Sequence, residues 1–160
     1  MAGTTLALVV GLMTWSGTEF TRVRADTPAL SRLMQEASHR SPTFRGLMER
    51  IQATDGIVYV VNGRCRERVR ACLLFWIGTS DRNRILRVVV DDHRQREEAM
   101  SFIAHELRHA LEVLDEPSVT TGGGMYLLYS RIGSGRGHTF ETQAARDTED
   151  AVYQELKRTR

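Results

Sequence analysis

The 160-residue sequence predicts a single α+β domain in which a small antiparallel sheet packs against helices. Three observations carry that prediction. Two stretches of helical apolar periodicity follow residue 26, β-branched runs occupy the middle of the chain, and helical periodicity returns beyond residue 95. With 41% hydrophobic residues, the chain is long enough for one real core and short for two, so residues 26–160 are expected to form one domain.

Residues 1–25 read as an apolar leader or signal peptide. The run from Thr4 to Trp15 is as long as a signal-peptide core and well short of the ~20 residues that span a bilayer. Val23-Arg24-Ala25 ahead of Asp26 has the small-residue form of a cleavage site, although Met1 to Thr5 carries no basic side chain. An exported protein without a membrane span is expected. The alternative is a cytoplasmic protein whose first segment packs on its core.

Thr27-Pro28 supplies an N-cap followed by proline at the first helical position, and Leu30, Leu33, Met34 and Ala37 then share one face. Ser41-Pro42 repeats the signal, with Phe44, Leu47, Met48 and Ile51 at helical spacing until Asp55-Gly56. Ile57 to Val61 is a strand by its β-branched and aromatic content. Residues 71–77 and 84–91 are two more strands. Ser80-Asp81-Arg82-Asn83 suits the turn between them, so they are expected to pair as an antiparallel hairpin. A helix over Gln95 to Asp115 follows, then a Gly122-Gly123-Gly124 loop, a short helix near Met125 to Ile132, and a second glycine-rich loop. A last helix is expected from about Thr139 to Lys157.

Charge excludes little. The balance of 22 basic against 20 acidic side chains gives +2, interspersed along the chain, and no nucleic-acid partner is expected. Arg64 to Arg70 carries four arginines against Glu67, either a local basic patch or a solvated loop face. Cys65 and Cys72 are the only cysteines; a local disulfide suits an exported protein, and two free thiols a cytosolic one.

The chemistry centres on His105-Glu106-Leu107-Arg108-His109. Four residues apart on a helix, His105 and His109 project from one face a turn apart, within reach of one zinc ion. Glu106 lies about 100° around the axis, beside the metal, where its carboxylate can take a proton from a metal-activated water. Ile103, Leu107, Ala110, Leu111 and Leu114 occupy the opposite side, so one face serves the core and the other a site. A catalytic zinc needs a third protein ligand. Glu112 is too far along the helix from His105 to share the ion and reads as an orienting partner or an exposed carboxylate. Glu141 falls within the apolar arc drawn by Phe140, Ala144, Ala145, Val152 and Leu156. A carboxylate there needs a metal or a paired arginine, and metal is the simpler account. His138, three residues earlier, competes as the third ligand.

These residues resemble the zincin metallopeptidases, and within them the gluzincin branch. The resemblance covers the two helices, about Phe102 to Glu116 and Phe140 to Val152. It implies zinc held by His105, His109 and Glu141, with Glu106 as general base, in a hydrolase that cuts peptides or proteins. The acidic residue often found three or four positions after the glutamate ligand is replaced by Ala144 and Ala145, with Asp147 as a substitute. An edge strand commonly receives the substrate in such enzymes, and the hairpin ending at Asp91 is the expected platform. Tyr126, Tyr129, Arg131 and His138 are the candidate donors to the developing oxyanion. The competing function is a non-enzymatic exported domain whose zinc is structural or recruits a partner.

Overall fold

Proline fixes the start of each N-terminal helix. In the computed structural model, which describes residues 22–66, 69–91, 95–135 and 140–159, α1 spans Pro28–Arg40 and α2 spans Pro42–Gln52. Thr27 and Ser41 cap them, their hydroxyls accepting from the amides of Leu30 and Phe44 at 3.2 and 2.9 Å. The apolar residues expected on their inner faces are all buried. Ser41 Oγ also donates to Glu155 Oε2, which ties the junction of the two helices to the last helix.

The sheet is mixed, which corrects the antiparallel expectation. Its strands are β1 (Val23–Ala25), β2 (Gly56–Asn62), β3 (Ala71–Leu73), β4 (Gly78–Ser80) and β5 (Asn83–Val90). Their order is β1-β2-β5-β3, and β4 pairs with the β5 edge that also carries β3. β1, β2 and β5 run parallel, whereas β3 and β4 are antiparallel to β5. The strand expected over residues 71–77 ends at Leu73, and a second short strand, β4, follows at Gly78–Ser80; both make the antiparallel pairing with β5 expected of the hairpin. Asp81 takes φ 53° in the tight turn between β4 and β5, a conformation that aspartate tolerates. Val58, Val60, Leu86, Val88 and Val90 turn one face of the sheet toward the helices, while Arg24, Tyr59 and Arg87 form a row on the other.

The central helix α3, Arg96–Leu114, is buried along nearly its whole length between the sheet and α2 and α5. Its C-terminal end is closed by Arg84 of β5. This guanidinium, 4% exposed, donates to the carbonyls of Val113, Leu114, Glu116 and Val119 at 2.7–3.0 Å and forms a two-pronged pair with Asp55.

Residues 122–124 are not a loop. They begin α4, Gly122–Ile132, capped by Thr121. Gly122 is required by packing: a Cβ there would lie 2.3 Å from the carbonyl oxygen of Phe75. The last helix, α5, spans Gln143–Arg158, four residues later than expected at its start, because Thr142 is the cap that accepts from Ala145 N. Cys65 and Cys72 form a disulfide. No helix among the described residues is long and apolar enough to cross a membrane.

Candidate metal centre

Residues four apart on α3 place the imidazoles of His105 and His109 with ring centroids 4.9 Å apart. The two rings are oriented by different acids. His109 Nδ1 lies 3.0 Å from Glu112 Oε2, and Glu112 Oε1 accepts from Thr142 Oγ1 at 2.8 Å. His105 Nδ1 lies 2.8 Å from Glu149 Oε2 on α5. A carboxylate lies beside Nδ1 of each ring, hydrogen-bonded at His109 and as a close ion-pair contact without hydrogen-bond geometry at His105, and Nε2 is the atom available for a ligand bond. His105 Nε2 is 3.3 Å from Glu141 Oε2, and His109 Nε2 is buried with no hydrogen-bond partner among the described residues.

The ligand atoms of His105, His109 and Glu141 lie within 4.8 Å of one another. A tetrahedral zinc with bonds of about 2.0–2.1 Å has ligand atoms about 3.3 Å apart, so the His105 to Glu141 spacing fits and the His109 edge needs a small closure. A buried imidazole nitrogen without a partner is the residue-level sign that a cation belongs there. Two imidazoles and a carboxylate are a donor set that zinc accepts.

Electrostatics agree with the geometry. Burial opposes charge on His105, but its contacts with the accepting carboxylates of Glu141 and Glu149 and the nearby Glu106 prevail and raise its pKa to about 10. The hydrogen bond with His105 holds the Glu141 carboxyl below its ordinary value against the opposing effect of burial. Three acids thus converge on one ring and make the position attractive to a cation.

Glu141 reaches the site by a route other than the expected one. It is not on the C-terminal helix but in an extended segment before it, bridged to Ser134 by two backbone hydrogen bonds of 2.8 Å. Its side chain is 45% exposed, and its partner is His105 rather than an arginine.

Glu106 is buried, and burial pushes its carboxyl upward in pKa. Oε2 accepts from the amide of Leu73 on β3 at 2.7 Å. A half-open cleft of about 100 Å³ lies beside the centre, bordered by Glu106, His109 and Glu141 and walled by β3 and Phe140. β3, at the sheet edge, is therefore the strand beside the cleft. Of the hairpin expected as the platform, β3 is thus the accessible strand, while β5, which ends near Asp91, is enclosed between β2 on one side and β3 and β4 on the other.

The remaining expectations separate cleanly. Tyr129 is buried and its hydroxyl donates to the carbonyl of His109 at 2.7 Å, so it braces the site helix. Arg131 is exposed and faces Glu116. Asp147 accepts from Gln143 and is not among the acids at the histidines; Glu112 and Glu149 have that place. Tyr126 packs edge-on against Phe140, beside Glu141 in sequence. His138 and residues 1–21, with the apolar leader, lie outside the described residues. No family model matches the chain, and neither does any curated protein or solved structure.

Proposed function

We propose that the chain is a zinc-dependent hydrolase of the gluzincin type that cleaves peptide bonds. The observation carrying this reading is the partnerless, buried Nε2 of His109, clustered with His105 and Glu141 beside a cleft that Glu106 also borders. A zinc ion bound there would supply Lewis acidity, lowering the pKa of a water and polarising a carbonyl. The residues do the rest. Glu106, anchored through one oxygen by Leu73 N, has the other to accept a proton and return it to the departing amine. Burial raises its proton affinity, which suits a group that must both take and give a proton near neutral pH. Of the three candidate donors among the described residues, Tyr129 is committed to the His109 carbonyl and Arg131 faces Glu116, and we assign the oxyanion to Tyr126.

Three converging donors and an adjoining cleft favour catalysis over a closed structural site. The disulfide suits an oxidising compartment, and we infer that the protein is exported. The test is direct. Protein purified without added metal is analysed for zinc and assayed on a broad peptide library. We expect one zinc per chain and metal-dependent cleavage, with Glu106→Gln retaining zinc while losing ~10³-fold or more in kcat. Undiminished turnover by that variant would exclude this mechanism, and absence of bound zinc would exclude the centre.

A further inference from the structure

Alternation along β1, β2 and β5 turns Arg24, Tyr59 and Arg87 away from the helices, and the strand register sets them side by side across the sheet. Trp76 completes the row, its ring centre 6.0 Å from the guanidinium carbon of Arg87. Arg24 stands in the same relation to Tyr59, 5.8 Å from the ring centre, and its Nη1 donates to the Tyr59 hydroxyl at 3.1 Å. The row therefore runs cation, ring, cation, ring, with each guanidinium held against a neighbouring ring. Trp76 also has a prepared seat. A Cβ at Gly78 would lie 2.4 Å from the indole, so the ring rests directly on the β4 backbone. Trp76 is still 50% exposed, and Arg24 and Arg87 are exposed with it. An indole fixed in place with one side wet is a platform for stacking.

Charge and spacing define what fits. The outward positions of β1, β2 and β5 carry two arginines and no acid; acids occur past the strand ends, at Asp26, Asp55, Asp81 and Asp91. Asp55 is taken by Arg84, and Asp26 accepts from the Asn62 amide. The disulfide adds the exposed Arg64 and Arg66, which flank Cys65, near the edge where Cys72 opposes Val89. This face is suited to a polyanion. Arg24 and Arg87 sit two strand spacings apart, about 10 Å, with Tyr59 between them. A nucleic-acid strand bears a phosphate on every unit and would set one against each ring. A polysaccharide with carboxylates on alternate sugars sets a carboxylate on each guanidinium and the C–H face of an uncharged sugar on each ring.

We propose that this outer face binds an acidic polysaccharide whose carboxylated and uncharged sugars alternate. The row lies on the side of the sheet opposite α3, so the surface does not depend on the hydrolase reading. The full chain is titrated by calorimetry at physiological ionic strength with hyaluronan oligosaccharides, in which glucuronate and N-acetylglucosamine alternate. The comparisons are the same oligosaccharides with amidated carboxyl groups, and oligothymidylate. The carboxylated form is expected to bind ~10-fold tighter or better than either, and Arg87→Gln and Trp76→Ala should each weaken it by ~10-fold or more with unchanged circular dichroism. Both side chains are exposed, so neither variant removes core. Glu106→Gln should bind the oligosaccharide as the parent does, whatever becomes of peptide cleavage. No binding of the carboxylated form, equal binding of the amidated form, tighter binding of oligothymidylate, or full affinity in both variants overturns the proposal.

Discussion

At the scale of single residues, the centre is a set of carboxylates arranged around two imidazoles. Thr142 caps α5 and also donates to Glu112, which holds His109, so one hydroxyl joins a helix start to the aim of a ligand. Glu112→Gln keeps the shape but weakens the acceptor for the ring N–H. Its zinc affinity should fall ~10–100-fold, read by competition with a chelator, with unchanged circular dichroism. Glu149→Gln should act comparably through His105. Unaltered affinity in both variants would show that the acids are ornamental to the metal. His105, Glu106 and His109 were legible in the sequence because their relation is local to one helix. Glu112 was ambiguous because its separation from His105 is seven residues, whereas its true partner, His109, is three residues away and hence one turn. Nothing in the sequence marked Glu149, since its role depends on how α5 lies against α3.

Among the elements, Arg84 joins a central strand to the end of the site helix, where its guanidinium donates to four carbonyls of the α3 end and the following turn, two of which, Val113 and Glu116, also accept backbone amides. Arg84→Met should lower unfolding stability by ~3 kcal/mol or more, measured by denaturant titration, because buried carbonyls lose their donor. A pH signature accompanies it. The hydrogen bond to Arg84 holds Asp55 below its ordinary value of 3.8, so the unfolded chain takes up this proton first. The stability contributed by the pair is complete above about pH 4 and is lost as pH falls through the folded value. Arg84→Met should therefore show a shallower loss of melting temperature below pH 4 than the parent protein. The helices α1 and α2 were readable from Thr27-Pro28 and Ser41-Pro42, whose capping chemistry is self-contained. Strand direction was not, because β2 and β5 bury the same alternate residues whichever way they run. The Gly122 triplet misled for a related reason: its close approach to Phe75 is a tertiary requirement that composition presents as a loop.

For the whole molecule, the disulfide and the candidate metal centre border one cleft. Cys72 lies in β3, next to the Leu73 amide that holds Glu106, and its bridge to Cys65 closes a short loop. Cys65→Ser with Cys72→Ser should cost ~2–3 kcal/mol in urea unfolding. Zinc at a hundred times its dissociation constant should add about 2.7 kcal/mol, so chelator should lower the melting temperature and excess zinc restore it. An unmoved melting transition on chelation would place the metal outside the folded core. The far edge of the sheet carries a different consequence. β1 covers the outer side of β2, with the Arg22 carbonyl accepting from Val58 N and Val23 to Ala25 aligned on Val58 to Val60. A protease cutting after Ala25 would remove a structural strand and not merely a tail. The bared backbone of β2, flanked by Ile57 and Val61, is then a template on which a second molecule can add its own strand. The point at which the N-terminal segment is trimmed would thus decide whether the protein stays solitary or begins to self-associate.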